Sequence, residues 1–532
     1  MSFPRVLPLG DAAATLELGD SLDPGTNAHV RALDRELARA PFDGLLEVVP
    51  THRSLLVLYD PAAIRYGAVA RALRARVARG GAPPPPGRLH DVPAVYGGDD
   101  GPDLARLSRE KGIEEHAFAA LHASREYTAF MLGFTPGFAY LGLVPEPIEV
   151  PRHASPRVRV PAGSIGLAGR LTGVYPAASA GGWQLIGRTS RRLFDPFRPE
   201  PALIAPGDRV RFVPVPELPP PEAAARGPEP AGSPAVELRE PGLLTTVQDG
   251  GRRGHRRSGV SGAGPMDAQA HAAANRAVGN NEAAASLECT VSGPTLVVLS
   301  PAWFAVAGAD LGAVLERSDF GVWPVPPGVA VLARPGNVLR FTGRLAGCRA
   351  TVAFQGGIDV PPVLGSRSTD LQSGFGGLGG RALVEGDRLV IGPARAGTTG
   401  HDQPLGGPPA AVVTVRVVLG PQVGMIEPES VERLLAETWR LGPTSDRVGC
   451  RLEGPALRHE GAAEILSDGM VPGSIQVPPD GRPIVMMADG PTTGGYPKVA
   501  TIVTKDLPKL AQLVPGEGQV RFEAVTVEEV QE

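Results

Sequence analysis

Apolar residues recur along this chain with two periods, and the switches between them divide it. Near the N-terminus Ala14–Leu18 alternates as a half-buried strand does. Asn27–Ala40 then carries apolar residues at helical spacing. Leu45–Val49 and Ser54–Tyr59 read as two further strands. Pro61–Arg79 reads as a second helix, with proline near its start, where a helix accepts it. The order strand, helix, strand, strand, helix predicts a small α+β domain over residues 1–83, an antiparallel sheet with helices on one face.

Beyond residue 88 the pattern is mostly short strand candidates between Gly/Pro turns, which predicts sandwich or barrel architecture. Helical spacing returns in four places. They are Asp103–Lys111, Glu114–Ala123, Asp267–Val278 and Glu429–Leu441. The third opens on an aspartate placed as an N-cap. The fourth carries Val431, Leu434, Leu435 and Trp439 on one face.

Proline and glycine punctuate the chain at 80–88, 213–236 and 396–410. The breaks leave four blocks, 1–83, 89–215, 237–395 and 411–527. Residues 216–236, rich in Pro, Ala and Glu with little to bury, read as a semi-rigid solvated linker. A weak repeat marks the three strand-rich blocks: PGDRVRF at 206–212, PGNVLRF at 335–341 and PGEGQVRF at 515–522. Each reads as a tight turn feeding a final strand. The predicted fold class is mainly β, a small α+β N-terminal domain followed by three barrel-like units.

Composition narrows the function classes. The 532 residues carry a net charge of −4, so nothing argues for nucleic acid, whose binders present basic patches. Cys289, Cys348 and Cys450 are isolated, without metal-ligand spacing, so neither a zinc site nor a disulfide framework is expected. The N-terminal segment lacks the basic and apolar regions of a signal peptide, and Arg416 interrupts the apolar run at 410–420. The expectation is a cytoplasmic protein with no membrane partner. Of 52 basic residues only Lys111, Lys498, Lys505 and Lys509 are lysines, so a lysine in a polar glycine-rich segment draws attention.

Such segments occur in both halves. In the first, MLGFTPGFAYLG (131–142), RVRVPAGSIGLAGRLTGVY (157–175) and GGWQLIGRT (181–189) combine permissive glycines with aromatic and polar side chains. Phe134, Phe138 and Trp183 could wall a ligand. Arg159, Gln184 and Arg188 could bind it directionally, arginine suiting a planar carboxylate. In the second half, PTSDRVGCRLEG (443–454), SDGMVPGSIQVPPD (467–480) and MMADGPTTGGYPK (486–498) supply Asp446, Arg447, Arg451, Gln476, Asp489, Thr492, Thr493, Tyr496 and Lys498. A lysine there could hold an anion, or donate a proton if burial lowers its pKa. The bland alternatives are barrel corners in the first half and a surface hairpin in the second. The residues alone leave both open.

Missing motifs exclude as much. No GxxxxGK[ST] loop, no GxGxxG after a strand and no GxSxG elbow is present. No lysine sits between methionines, so no covalently bound biotin is expected on this chain. His90 and His122 are singletons. Any catalysis would rest on positioning and polarisation by Arg, Asp, Lys and backbone donors.

Against that background, YTAFMLGFTPGFAYLG, PRVRVPAGSIGLAG and GGWQLIGRTSRRLFDP resemble the signature of allophanate hydrolase subunit 1-type proteins, which include the Kip inhibitor and the B subunit of 5-oxoprolinase. PGLLTTVQDGGRRGHRRSGVSGAGPMD, GGIDVPPVLGSRST, TSDRVGCRL and PGSIQVPPDGRPIVMMADGPTTGGYPK resemble subunit 2-type proteins, which include the Kip antagonist and the C subunit. The resemblance covers nearly the whole chain, in order, as a fusion of the two. It implies that the three strand-rich units are cyclophilin-like β-barrels.

The same resemblance implies an ATP-dependent 5-oxoprolinase component, acting with a separate LamB/YcsF-like A subunit. ATP, with Mg²⁺ as its companion, would be a co-substrate, and a homo-oligomer is possible for such a chain. Two alternatives stand beside it: a biotin-dependent carboxyltransferase component acting on urea or a similar amide, and a regulator of a sensor histidine kinase. For an oxoprolinase the expected catalytic residues are Lys498, Asp489, Tyr496 and Asp446. Arg447, Arg451, Gln476, Thr493, Arg159, Gln184 and Arg188 are the expected substrate ligands, with Lys498 on a phosphate or lactam oxygen and Arg447 or Arg451 on the carboxylate. The chain departs from the family pattern at Leu171 and Pro491, where Gln is common, and at Gly250, where Leu is usual.

Overall fold

A computed structural model describes residues 3–81, 84–225, 227–394 and 412–532. The break expected at 396–410 lies outside the described residues. The chain is mainly β, with 34% strand against 17% helix. Among the described residues no helix is long and apolar enough to cross a membrane.

The N-terminal unit is a four-stranded antiparallel sheet in the order Arg5–Pro8, Ala13–Glu17, Ser54–Tyr59, Leu45–Pro50. Arg5–Pro8 is an addition to the expected strands; four residues ending in proline give too little pattern to read. The helix Pro24–Arg39 starts one turn earlier than its apolar spacing suggests, because Asp23 caps it by accepting the Thr26 N–H at 2.6 Å and Pro24 fits the first turn. The second helix runs Tyr66–Arg79. Both helices cover one sheet face, while Leu9, Ala13, Val49 and Leu56 on the other meet Val471 of the last unit. Burial on both faces explains the unbroken apolar run SLLVLY.

The second unit is a closed seven-stranded barrel running Leu171–Val174, Ala139–Gly142, Glu126–Leu132, Arg209–Pro214, Leu89–Tyr96, Gln184–Arg188, Ser164–Ala168. The last unit is another, running Val412–Leu419, Lys498–Ile502, Ser474–Gln476, Ile484–Met486, Gly449–Glu453, Trp439–Leu441, Gln519–Ala524. In both barrels the final strand, fed by the PGDRVRF or PGEGQVRF turn, lies parallel to the first. The middle unit surrounds one core with a six-stranded and a five-stranded sheet, and its PGNVLRF strand, Val338–Phe341, is antiparallel to both neighbours. The helix Ala268–Ala277 crosses its five-stranded sheet and carries the expected cap, Asp267 accepting the Ala270 N–H at 2.9 Å.

Two readings of the pattern change. The helix expected over Glu429–Leu441 is Pro428–Ala436, and Trp439–Leu441 is a strand paired with Gln519–Ala524. Trp439 is fully buried in the barrel and donates its indole N–H to the Leu434 carbonyl at 3.0 Å. Helical spacing puts it on the right face for a different reason. The linker is also less free than its composition suggests. Glu222 pairs with Arg191 at 2.6 Å and Arg198 at 2.8 Å, and the Ala225 N–H donates to Asp195 at 2.9 Å.

Candidate functional site

Three units meet at one buried polar cluster. In the last barrel the short strand Asp468–Gly469 pairs with Thr493–Gly494, and Lys498 opens the wholly buried strand Lys498–Ile502. The Lys498 ammonium lies 3.1 Å from Asp468 Oδ2, and both side chains are sealed from solvent. Asp468 also accepts the Ser54 hydroxyl from the N-terminal sheet, the Gly469 N–H at 2.9 Å and the Gln422 amide at 3.4 Å. Burial alone would raise the Asp468 pKa. The Lys498 charge, the Ser54 hydrogen bond and the Arg53 charge outweigh it and hold the carboxyl below its usual range.

His52 stands beside this pair. Burial and the neighbouring Arg53 charge push its imidazole down to about 3, against the pull of Asp468, so the ring is neutral near pH 7. Among the described residues its Nδ1 has no hydrogen-bond partner. The ring meets Phe130 edge-on at 6.0 Å and Tyr140 at 5.3 Å. The Tyr140 phenol, its pKa raised by burial, lies within hydrogen-bonding reach of Ser467 and Thr493. Thr493 Oγ1 accepts the Phe134 N–H at 3.1 Å across the junction. A Cβ on Gly133 would sit 2.0 Å from that hydroxyl, so only glycine admits the approach.

Aromatic rings from the first barrel wall the cluster. Phe138 packs edge-on against Phe134, Tyr140, Tyr175 and Trp183, with ring centres 5.0–5.5 Å apart. Phe134 holds a left-handed backbone, φ 65°, which a bulky residue keeps only when its surroundings enforce it. It also borders a cleft of about 560 Å³ between the two halves, lined by Pro176–Ala180, Phe194, Phe375, Arg192, Asp370 and Asp489. Arg192 is half-buried there, and among the described residues its buried Nε has no hydrogen-bond partner.

The residues singled out in the sequence fall into three places. Lys498, Thr493 and Gln476 belong to the cluster or its edge; Gln476 is buried and donates to the Tyr496 carbonyl at 3.3 Å, while the Tyr496 side chain is half-buried. Arg447 and Asp489 form a second buried network. The Arg447 guanidinium holds Asp489 with two bonds of 2.9 and 2.8 Å, the Gly264 carbonyl at 2.7 Å, and Glu288 of the middle unit. Four of its five N–H donors are thus engaged inside the protein. Burial opposes the Arg447 charge, but Asp489 and Glu288 raise its pKa; burial raises that of Asp489 despite Arg447.

The remainder lie apart from the cluster. Asp446 is exposed and accepts the Val448 and Gly449 N–H groups, a local turn cap. Arg451 and Arg159 are exposed. Arg188 donates to the Ala162 carbonyl at 3.1 Å, and Gln184 links Arg106 at 2.5 Å to the Pro151 carbonyl at 2.9 Å. His122 is a buried core residue between the Tyr96 phenol and Thr172, 2.8 and 2.9 Å away.

Sequence reasoning passes over His52, Ser54, Tyr140 and Asp468. Tyr140 and Asp468 lie inside glycine-rich segments already marked. His52 and Ser54 lie in a hairpin turn of a unit that reads as scaffold, and only their partners from the far end of the chain give them significance.

The comparisons with known proteins agree with this architecture. Residues 4–204 match the family described as carboxyltransferase domain, subdomain C and D, and residues 258–524 match carboxyltransferase domain, subdomain A and B. The chain belongs to this carboxyltransferase-domain family, as a fusion of two halves that resemble the B and C subunits of 5-oxoprolinase. It is 42% identical to the 5-oxoprolinase B subunit of Escherichia coli O157:H7 over 215 residues, 40% of this chain and 97% of that protein. It is 40% identical to the 5-oxoprolinase C subunit of Escherichia coli K12 over 297 residues, 55% of this chain and 92% of that protein. A crystal structure of TTHA0988 superposes with a TM-score of 0.85 at 35% identity, covering 96% of this chain and 99% of that one.

Proposed function

We propose that this chain is the B/C component of an ATP-dependent 5-oxoprolinase, opening 5-oxoproline to glutamate together with a separate A subunit. One observation carries the reading: the chain spans nearly all of both a B and a C subunit, and its buried polar cluster draws side chains from both halves.

The substrate is a flat lactam with a carboxylate. Its amide carbonyl resists water, so its oxygen first attacks the γ-phosphorus of ATP and ADP departs. Water then adds to the activated carbon and the C–N bond breaks, the nitrogen leaving as the protonated amine and the carbon remaining as an acyl phosphate. A second water hydrolyses that acyl phosphate to the side-chain carboxylate of glutamate and releases phosphate. The aromatic walls suit the flat ring and exclude bulk water. Tyr140 and Thr493 offer hydroxyls to the carbonyl side, and neutral His52 offers a ring nitrogen for a proton. Lys498 is a positioning residue, holding Asp468 and through it the Ser54 contact. Arg192, in the adjoining cleft, is the cation for the carboxylate, a role that Arg447 is too fully engaged to take.

The test is glutamate release from 5-oxoproline and ATP, using the purified chain with and without its A subunit. Glutamate formed only with both proteins supports the reading. Its absence with a folded A subunit overturns it and favours a second reading, carboxyl transfer to a urea-like amide, which the family description supports. That reading requires biotin-dependent carboxyl transfer in the presence of a biotin-bearing partner.

A further inference from the structure

The helix Pro24–Arg39 presents Arg31 and Arg35 one turn apart, with Asp34 between them. Arg257 reaches the same place from the second half of the chain and holds Asp34 at 2.7 Å. With Pro84 and Gly207 these groups line a pocket of about 300 Å³. Three guanidinium groups face one carboxylate, so the pocket carries an excess of positive charge. Among the described residues Arg35 has no hydrogen bond or ion pair, and Arg31 bonds inside the protein only through Nε, to Asn27 at 3.0 Å. Arg31 Nη1 lies against the backbone of Gly207, where a Cβ would be 2.7 Å from it. Burial and the Arg35 charge lower the Arg31 pKa, a repulsion that a bound anion would relieve.

A second cavity opens on the other side of Arg35. It measures about 880 Å³, shares Arg35, Pro84 and Pro85 with the first, and is walled by Phe3, Leu18 and Val77 together with the polar side chains of His29, Glu36 and Arg39. A charged pocket joined to a groove with apolar walls and a few polar side chains suits a ligand with a polyanionic end and a flat end that carries hydrogen-bonding groups. We propose that Arg31, Arg35 and Arg257 bind the polyphosphate of a nucleotide, with the adjoining groove taking its nucleoside end. The choice of nucleotide rests on the ATP-dependent function proposed above.

The site needs both halves, because Arg257 comes from the second. Asn27 ties it to the buried cluster: its Oδ1 accepts from Arg31, and its Nδ2 donates to the backbone carbonyls of His52 at 3.2 Å and Phe130 at 3.1 Å.

Calorimetric titration of the full chain with ATP, inorganic triphosphate and adenosine, in low-salt buffer free of phosphate, tests the assignment. ATP and triphosphate should compete for one site, ATP the tighter, with adenosine far weaker. R35Q should weaken ATP binding by about tenfold and flatten its salt dependence, and R31Q/R35Q should weaken it further. R35Q removes an exposed side chain, so its melting temperature should match the wild type. ATP affinity unchanged in both variants overturns the assignment, as does a wild-type chain that binds neither ATP nor triphosphate, or adenosine that competes as well as ATP. The glutamate assay on the same preparations separates the two proposals. Turnover with unaltered ATP binding in the variants sinks the pocket alone; ATP binding lost in R35Q without any wild-type turnover sinks the oxoprolinase reading alone.

Discussion

Ser54, on the N-terminal sheet, donates its hydroxyl hydrogen bond to Asp468 of the last barrel, 414 residues further along the chain. Asp468 in turn holds the buried ammonium of Lys498 at 3.1 Å. This contact joins the two ends of the chain at a charged pair, and it makes the integrity of the site depend on the packing of the halves.

Replacing Lys498 by Ala or Asp468 by Asn leaves one buried charge without its partner. Each single change should cost about 3–5 kcal/mol, the range for breaking a buried pair, and should cut turnover by orders of magnitude. The double variant K498A/D468N should lose less stability than the sum of the two singles. Urea denaturation of all four proteins measures the coupling, and strict additivity would remove the pair from this account.

Tyr140→Phe deletes only the hydroxyl between Ser467 and Thr493. Turnover should fall by about 10²-fold, with stability changed by roughly 1 kcal/mol. An active Y140F enzyme would assign the phenol to packing.

Gly133→Ala introduces a methyl group against Thr493. Overpacking of this kind costs about 1–3 kcal/mol, and here it pushes on the contact between the halves. Adding Thr493→Ala should recover part of the lost melting temperature. If G133A melts like the wild type, the halves do not rely on that approach.

Arg447→Gln strips the buried carboxylates of Asp489 and Glu288 of their cation, and should destabilise by about 3–5 kcal/mol. Arg451→Ala, on an exposed side chain four residues away, should stay within about 0.5 kcal/mol of the wild type. Thermal melts of the two variants side by side check the contrast.

Acid should weaken the fold through its buried histidines before Asp468 titrates. His52 and His122 are both pushed down to about 3 by burial, so below pH 6.5 the unfolded chain binds protons that the folded chain does not. Stability from each is complete above pH 6.5 and declines as pH falls towards about 3, by up to about 1.4 kcal/mol per pH unit per histidine. Asp468, held below its usual range, adds a loss only at lower pH, as the pH falls below the unfolded carboxyl's pKa and through the depressed folded one. Urea midpoints from pH 7 to pH 4.5 test this, and a flat profile would contradict it. Replacing His122 by Gln should flatten the slope without touching the polar cluster.

Much of the architecture is legible in the sequence because it is local. The Asp267 cap, the apolar faces of the N-terminal helices and the turn-plus-strand repeats are short-range patterns, and each appears in the folded chain. Trp439 misleads because helical spacing and a barrel strand both place an indole inward, and only pairing with Gln519–Ala524 decides between them. Glu222 looks solvated because its partners Arg191 and Arg198 lie across a turn of the first barrel that the sequence does not locate. For the site, the glycine-rich segments around Thr493 and Lys498 stand out, whereas His52 and Ser54 do not.

By itself the sequence determined the mainly β class, most of the element types and the family, since these follow from periodicity, turn chemistry and motif order along the chain. Which polar residues share one environment was decided only by the tertiary structure. Arg447 and Lys498 look alike in the sequence, as cations in glycine-rich loops. Barrel closure encloses both with carboxylates, but only Lys498 pairs with the aspartate that accepts Ser54 from the N-terminal sheet and acts on His52. The reason is physical: a buried charge is placed by the partners that compensate it, and those partners come from distant segments.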